Sequence, residues 1–131
     1  MRDFLLIMSG WLAVAAFGTT LIVPWGVNAL RICGGPRRRF MVLHLVLGTA
    51  VPVVGLAHGM LPIRAAGLAT LEKPALALGL GALLLLLLQT ALGISLRGAR
   101  SPRPQLRSAH LATMLALAGV ILVHILVIRL K

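Results

Sequence analysis

The chain has 131 residues, 60% of them hydrophobic, and a mean hydropathy of +1.03. Soluble domains hold roughly 45–50% apolar residues, so a water-soluble fold is excluded. The 13 Lys and Arg against two Asp and Glu give a formal charge of +11, but with 4% aromatic residues and no soluble domain to present the charge, nucleic acid is excluded as the partner.

Four apolar runs, Phe4 to Leu30, Phe40 to Ile63, Pro74 to Leu96 and Ser108 to Ile128, contain no Asp, Glu, Lys or Arg. Each exceeds the roughly 20 residues needed to cross a hydrocarbon core of about 30 Å. The first predicts helix one over about 4–30. Arg2, followed by Ala13, Ala15 and Ala16, resembles the start and cleavage site of a signal peptide. A run reaching Leu30 outlasts the usual apolar region of about 7–15 residues, so helix one is expected to remain. Gly10, Gly18 and Gly26 lie along it, and Trp25 reads as an interfacial anchor. The first connection holds Arg31, Arg37, Arg38, Arg39 and the single cysteine, Cys33. One cysteine excludes an internal disulfide, a cysteine-held iron–sulfur cluster and a C-x-x-C-H haem attachment; Cys33 reads as a small interfacial residue.

Helix two, about 40–63, carries His44 and His58, with Pro52 between them as a candidate bend. Arg64, Glu72 and Lys73 mark the middle connection. Helix three, about 74–96, has Gly79 and Gly93 fourteen positions apart and one isolated polar group, Gln89. Interhelical packing is the expectation for Gln89, with a cofactor edge or a water as the alternative. The third connection holds Arg97, Arg100, Arg103 and Arg107, and helix four, about 108–129, carries His110 and His124. The predicted architecture is all-α, a single four-helix transmembrane bundle over residues 1–131. Because the arginines crowd connections one and three, the positive-inside rule places those two in the cytoplasm and leaves both termini and the middle connection outside. The membrane expected is the cytoplasmic (inner) one, and the basic connections also suit anionic lipid.

All four histidines lie inside spans, where ionisable side chains are costly and mark function. Each pair has the form H-x13-H. Fourteen steps of about 100° return a side chain to within about 40° of its starting direction, so each helix shows two histidines on one face, roughly 21 Å apart along the axis. Helices two and four run in the same direction. Depth therefore matches His44 with His110 on the inner side and His58 with His124 on the outer side.

Two imidazoles per level, with no acid or thiol in the same spans, do not make a zinc, copper or manganese cage. Haem iron brings four equatorial nitrogens and asks for two axial ligands, and its apolar macrocycle suits a bundle core. The expectation is two b-type haems between helices two and four, an inner one on His44 and His110 and an outer one on His58 and His124. The same residues allow an alternative, a cofactor-free membrane scaffold or proton-relay subunit. Arg39, Arg107, Arg64 and Arg129 border the histidines; propionate pairing, topology and snorkelling account for them equally.

An offset of 66 places His44 on His110, His58 on His124, Arg31 on Arg97, Pro36 on Pro102, Arg37 on Arg103 and Leu45 on Leu111. Duplication of a helix pair is one account of the match. Easy alignment of leucine-rich spans and arginine-rich loops is the other.

Paired H-x13-H motifs on two parallel helices separated by a third resemble the haem-bearing core of cytochrome b in quinol-oxidising cytochrome bc complexes. Gly79 and Gly93 are similar to the spaced glycines that clear the haems there. The inside-to-outside order of His44 and His58, and of His110 and His124, is similar to the membrane domain of ferric reductases and NADPH oxidases. The resemblance implies one-electron transfer across the membrane, with His44, His58, His110 and His124 as iron ligands and Gly79 and Gly93 against the cofactors. It also implies redox partners: a multihaem cytochrome, an iron–sulfur or flavin protein, or a quinone. With no flavin or nicotinamide domain in the sequence, the expected part is an electron-transfer subunit rather than an enzyme on its own.

Overall fold

The computed structural model describes residues 2–31, 37–66, 73–98 and 103–130. Cys33, Pro36, Glu72, Arg100, Pro102 and Lys131 lie outside them, as do the side chains of Arg2, Asp3, Trp25, Arg31, Arg37 and Arg38. The described residues form four α-helices and no strand: α1 (Arg2–Arg31), α2 (Arg37–Ala66), α3 (Pro74–Gly98) and α4 (Pro104–Arg129). All four are long and apolar enough to cross a membrane. The protein is an all-α integral membrane protein.

Every helix overruns its charge-free run. Helix α2 begins at Arg37 rather than Phe40 and ends at Ala66 rather than Ile63, and α4 begins at Pro104 rather than Ser108. The last apolar residue marks the hydrocarbon edge, whereas the helix ends where its own hydrogen bonds end. Arginine is a good helix former whose long stem reaches back to the interface, so the basic flanks extend the helix. Pro104 stands in the first turn of α4, where a missing N–H costs nothing. Inside α2 the helix continues through both Pro52 and Pro62.

Burial is inverted relative to a soluble domain. Among the described residues the buried apolar side chains include Phe17, Val23, Val51, Leu86 and Leu117, with Leu117 fully enclosed. Phe4, Ile22, Val53, Leu84 and Leu115 stand at 60% exposure or more. Exposing each to water would forfeit about 1.5–3 kcal/mol of burial, and lipid tails remove that cost. Hydroxyls are satisfied internally as well: Thr19, Thr90 and Thr113 each donate to the carbonyl four residues back on their own helix.

Contacts divide the chain into two compact units, Met1–His58 and Gly59–Lys131. In the first unit α1 runs antiparallel to the first part of α2, with Ser9 meeting His58 and Thr20 meeting His44. In the second, α3 runs antiparallel to α4, with Ala75 meeting His124 and Gln89 meeting His110. The described parts of both units are thus hairpin-like helix pairs, each with two histidine levels.

Candidate functional site

The second unit shows the design most simply. His124 on α4 donates from Nδ1 to the main-chain carbonyl of Ala75 on α3, 2.8 Å away. A helix carbonyl is normally hidden by the side chain one turn on. Here that position is Gly79, and a Cβ built on it would stand 3.2 Å from His124 Cε1. Glycine leaves room for the imidazole edge, which a side chain here would push back by a few tenths of an ångström.

The first unit repeats the arrangement with one insertion. His58 lies against Gly10, whose added Cβ would meet His58 Cε1 at 3.1 Å. Four residues before Gly10 is the Leu6 carbonyl, and the Ser9 hydroxyl bridges it to the ring, 3.0 Å from Leu6 O and 3.0 Å from His58 Nδ1. The hydroxyl has one proton, given to Leu6, so it accepts from the histidine, and His58 also carries its ring proton on Nδ1.

At the other level of the first unit, His44 Nδ1 donates to the Thr20 carbonyl at 3.0 Å. The position four residues on is Pro24. Proline has no N–H, so the Thr20 carbonyl has no helical donor and accepts from the histidine instead. Thr20 is 8% exposed and its own hydroxyl is turned back onto the Phe17 carbonyl at 2.6 Å.

His110 is the exception. Gly93 again stands against the ring, with an added Cβ 3.4 Å from His110 Cε1. Four residues before Gly93 is Gln89, and its side-chain Nε2 lies 3.2 Å from His110 Nε2. An amide nitrogen only donates, so His110 Nε2 accepts and the proton is again on Nδ1. Gln89 Oε1 is buried without a hydrogen-bond partner.

These four levels share one register. The residues that face the histidines, Leu6 and Thr20 on α1, Ala75 and Gln89 on α3, are each fourteen apart, as are the histidines. On α2 and α4 the two units correspond at an offset of 66. On α1 and α3 they correspond at 69, which matches Leu6 with Ala75, Gly10 with Gly79 and Thr20 with Gln89. The offset of 66 that aligns Arg31 with Arg97 therefore does not carry into the helices facing the histidines; the intervening segment of the first unit is three residues longer.

Of the residues expected at the site, His44, His58, His110 and His124 all receive a partner from the neighbouring helix of their own unit, and Gly79 and Gly93 seat two of the rings. Gln89 makes the interhelical contact expected of it. Ser9 and Thr20 carried no sequence signal alone; Leu6, whose carbonyl Ser9 bridges, and Thr20 are fourteen apart like the histidines, and that spacing is the signal that points to them.

A metal-ligating histidine commonly donates through one ring nitrogen to a carbonyl or hydroxyl, which fixes the tautomer and leaves a lone pair on the other. His44, His58 and His124 meet this description through Nδ1, whereas His110 accepts at Nε2 from Gln89. Among the described residues no three His, Cys, Asp or Glu come together, so imidazoles are the donors offered.

Fold and site define the class: an integral membrane protein of antiparallel helix pairs with oriented intramembrane imidazoles. Comparison with protein-family models, with curated proteins and with solved structures finds no match.

Proposed function

We propose that the chain is a dihaem b-type membrane cytochrome that carries electrons one at a time between a donor and an acceptor on opposite sides of the bilayer. The observation that supports this most is the hydrogen bonding of His44, His58 and His124 through Nδ1 to the neighbouring helix of their own unit, which assigns their protons there and leaves lone pairs on Nε2. Sequence register supports pairing His44 with His110 and His58 with His124, two levels roughly 21 Å apart along the helix.

Bound haem would supply the one-electron couple. The chain's own residues do the rest. Thr20, Ser9 and Ala75 hold three imidazoles in place, and hydrogen bonds from Nδ1 raise the basicity of Nε2, which favours the ferric state. The glycines let the rings sit close to the partner backbone, so the ring planes have little freedom. Apolar surroundings exclude water. Two histidines per iron leave no open position for oxygen chemistry.

The arginines clustered around the starts of α2 and α4 support an orientation with those ends cytoplasmic and both termini outside, in the cytoplasmic membrane. The partners proposed are a membrane quinone or another redox subunit, such as a multihaem, iron–sulfur or flavin protein. A reduced-minus-oxidised visible spectrum of the purified protein tests the reading. A low-spin b-type band with extractable haem supports it, and no band with no haem leaves the cofactor-free scaffold or proton relay.

A further inference from the structure

Three histidines are held through Nδ1, and His110 is held through Nε2. The difference lies in the partner. Where the other levels offer a main-chain carbonyl or the small hydroxyl of Ser9, the level of His110 offers a side-chain amide long enough to reach past the near edge of the ring. Gln89 Nε2 sits 3.2 Å from the nitrogen that would bind iron, and Gln89 Oε1, on the same amide, is buried with no partner. A buried amide oxygen without a donor is a standing cost, so this amide has reason to adopt a second arrangement.

We propose that Gln89 is a positioning residue with two arrangements: in the cofactor-free chain its amide caps His110 Nε2 and fixes the tautomer, and on haem ligation it gives up that nitrogen and turns Oε1 to accept from His110 Nδ1. The inference rests on the cytochrome reading for its second half only. No bond other than hydrogen bonds is made or broken within the protein, and the iron takes the lone pair the amide gives up. The second arrangement matches the first to the other three levels, since every ring then donates from Nδ1 to its partner helix. One consequence is inequivalence of the two haem sites. The site using His110 must displace a hydrogen bond to load, and its ligand is afterwards braced by a mobile side chain instead of a main-chain carbonyl.

The test uses the full-length chain in detergent, cofactor-free and then titrated with haemin. Nitrogen NMR of the histidine rings reads the cap directly: Gln89→Leu should move the His110 Nε2 resonance and leave those of His44, His58 and His124 in place. In the unaltered chain, haemin should shift the Gln89 side-chain amide signal, a readout needing no variant. Soret-band titration should show Gln89→Leu loading haem with an affinity within about threefold of the wild type, because the variant loses the cap and the brace together. An unmoved His110 resonance overturns the cap while leaving the cytochrome reading intact. An unmoved Gln89 amide signal on haem loading, or an affinity that Gln89→Leu changes by more than about threefold in either direction, overturns the exchange. Failure of both proteins to bind haem overturns the cytochrome reading and the exchange with it, and the His110 resonance still decides the cap.

Discussion

His124 gives its Nδ1 proton to the Ala75 carbonyl at 2.8 Å while Gly79, one turn along α3, admits the ring to 3.2 Å from where a Cβ would stand. Hydrogen bond and glycine are two halves of one feature: the carbonyl holds the ring only because the residue above it has no side chain. The same coupling recurs at Gly10 and, with a proline, at Thr20.

It predicts a graded glycine series. Adding a methyl group crowds His58 at Gly10 and His124 at Gly79, at 3.1 and 3.2 Å, whereas at Gly93 it meets His110 at the ordinary contact distance of 3.4 Å. Overpacking of this kind costs about 1–3 kcal/mol, against a helix-propensity gain of up to about 1 kcal/mol for Gly→Ala. Thermal unfolding in detergent should rank Gly10→Ala and Gly79→Ala as destabilised, Gly93→Ala near neutral and Gly81→Ala, which meets nothing within 4 Å, unchanged or more stable. A destabilised Gly81→Ala beside an unaffected Gly10→Ala would contradict the coupling.

Ser9 should matter through its hydroxyl alone. Ser9→Ala removes the bridge from His58 to the Leu6 carbonyl, and an interhelical hydrogen bond in a membrane averages about 0.6 kcal/mol. The expected result is a small loss of stability, an altered His58 ring-nitrogen resonance and rescue of both by Ser9→Thr. Equal behaviour of the alanine and threonine variants would refute it.

Pro24 should act through the N–H it lacks. Pro24→Ala supplies a donor to the Thr20 carbonyl, so His44 must share an acceptor it now holds without helical competition. Its ring-nitrogen resonance is expected to move towards that of a more weakly bonded imidazole, with the other three histidines unmoved. No change at His44 would contradict the competition, since the carbonyl would then serve the new N–H and the imidazole equally well.

Leu117 tests packing apart from the histidines. It is 0% exposed, whereas Leu115 on the same helix is 61% exposed. Leu117→Ala is expected to cost about 2–5 kcal/mol through the cavity it leaves, and Leu115→Ala close to nothing, measured as the shift in unfolding midpoint.

Much of the fold was legible because charge marks membrane boundaries so sharply: no Asp, Glu, Lys or Arg interrupts any of the four spans. The helix ends were misjudged by a few residues at Arg37 and Pro104, since charge reports the lipid edge and says nothing of where backbone bonding stops. The histidines declared themselves by cost and spacing. Their Nδ1 partners did not, because main-chain carbonyls of Thr20 and Ala75 have no letter in a sequence. Their signature is indirect, a glycine or proline four residues later in register with an antiparallel histidine. Gly79 and Gly93 were singled out as clearance for a cofactor, and the group that stands against them in the structure is an imidazole.

The central claim is most directly tested by haem content. Purified wild-type protein should carry two b-type haems per chain, and His58→Ala should lower this to one while leaving the spectrum of the haem assigned to His44 and His110. A wild-type chain without haem, or a His58→Ala chain retaining both haems or losing both, would contradict the account.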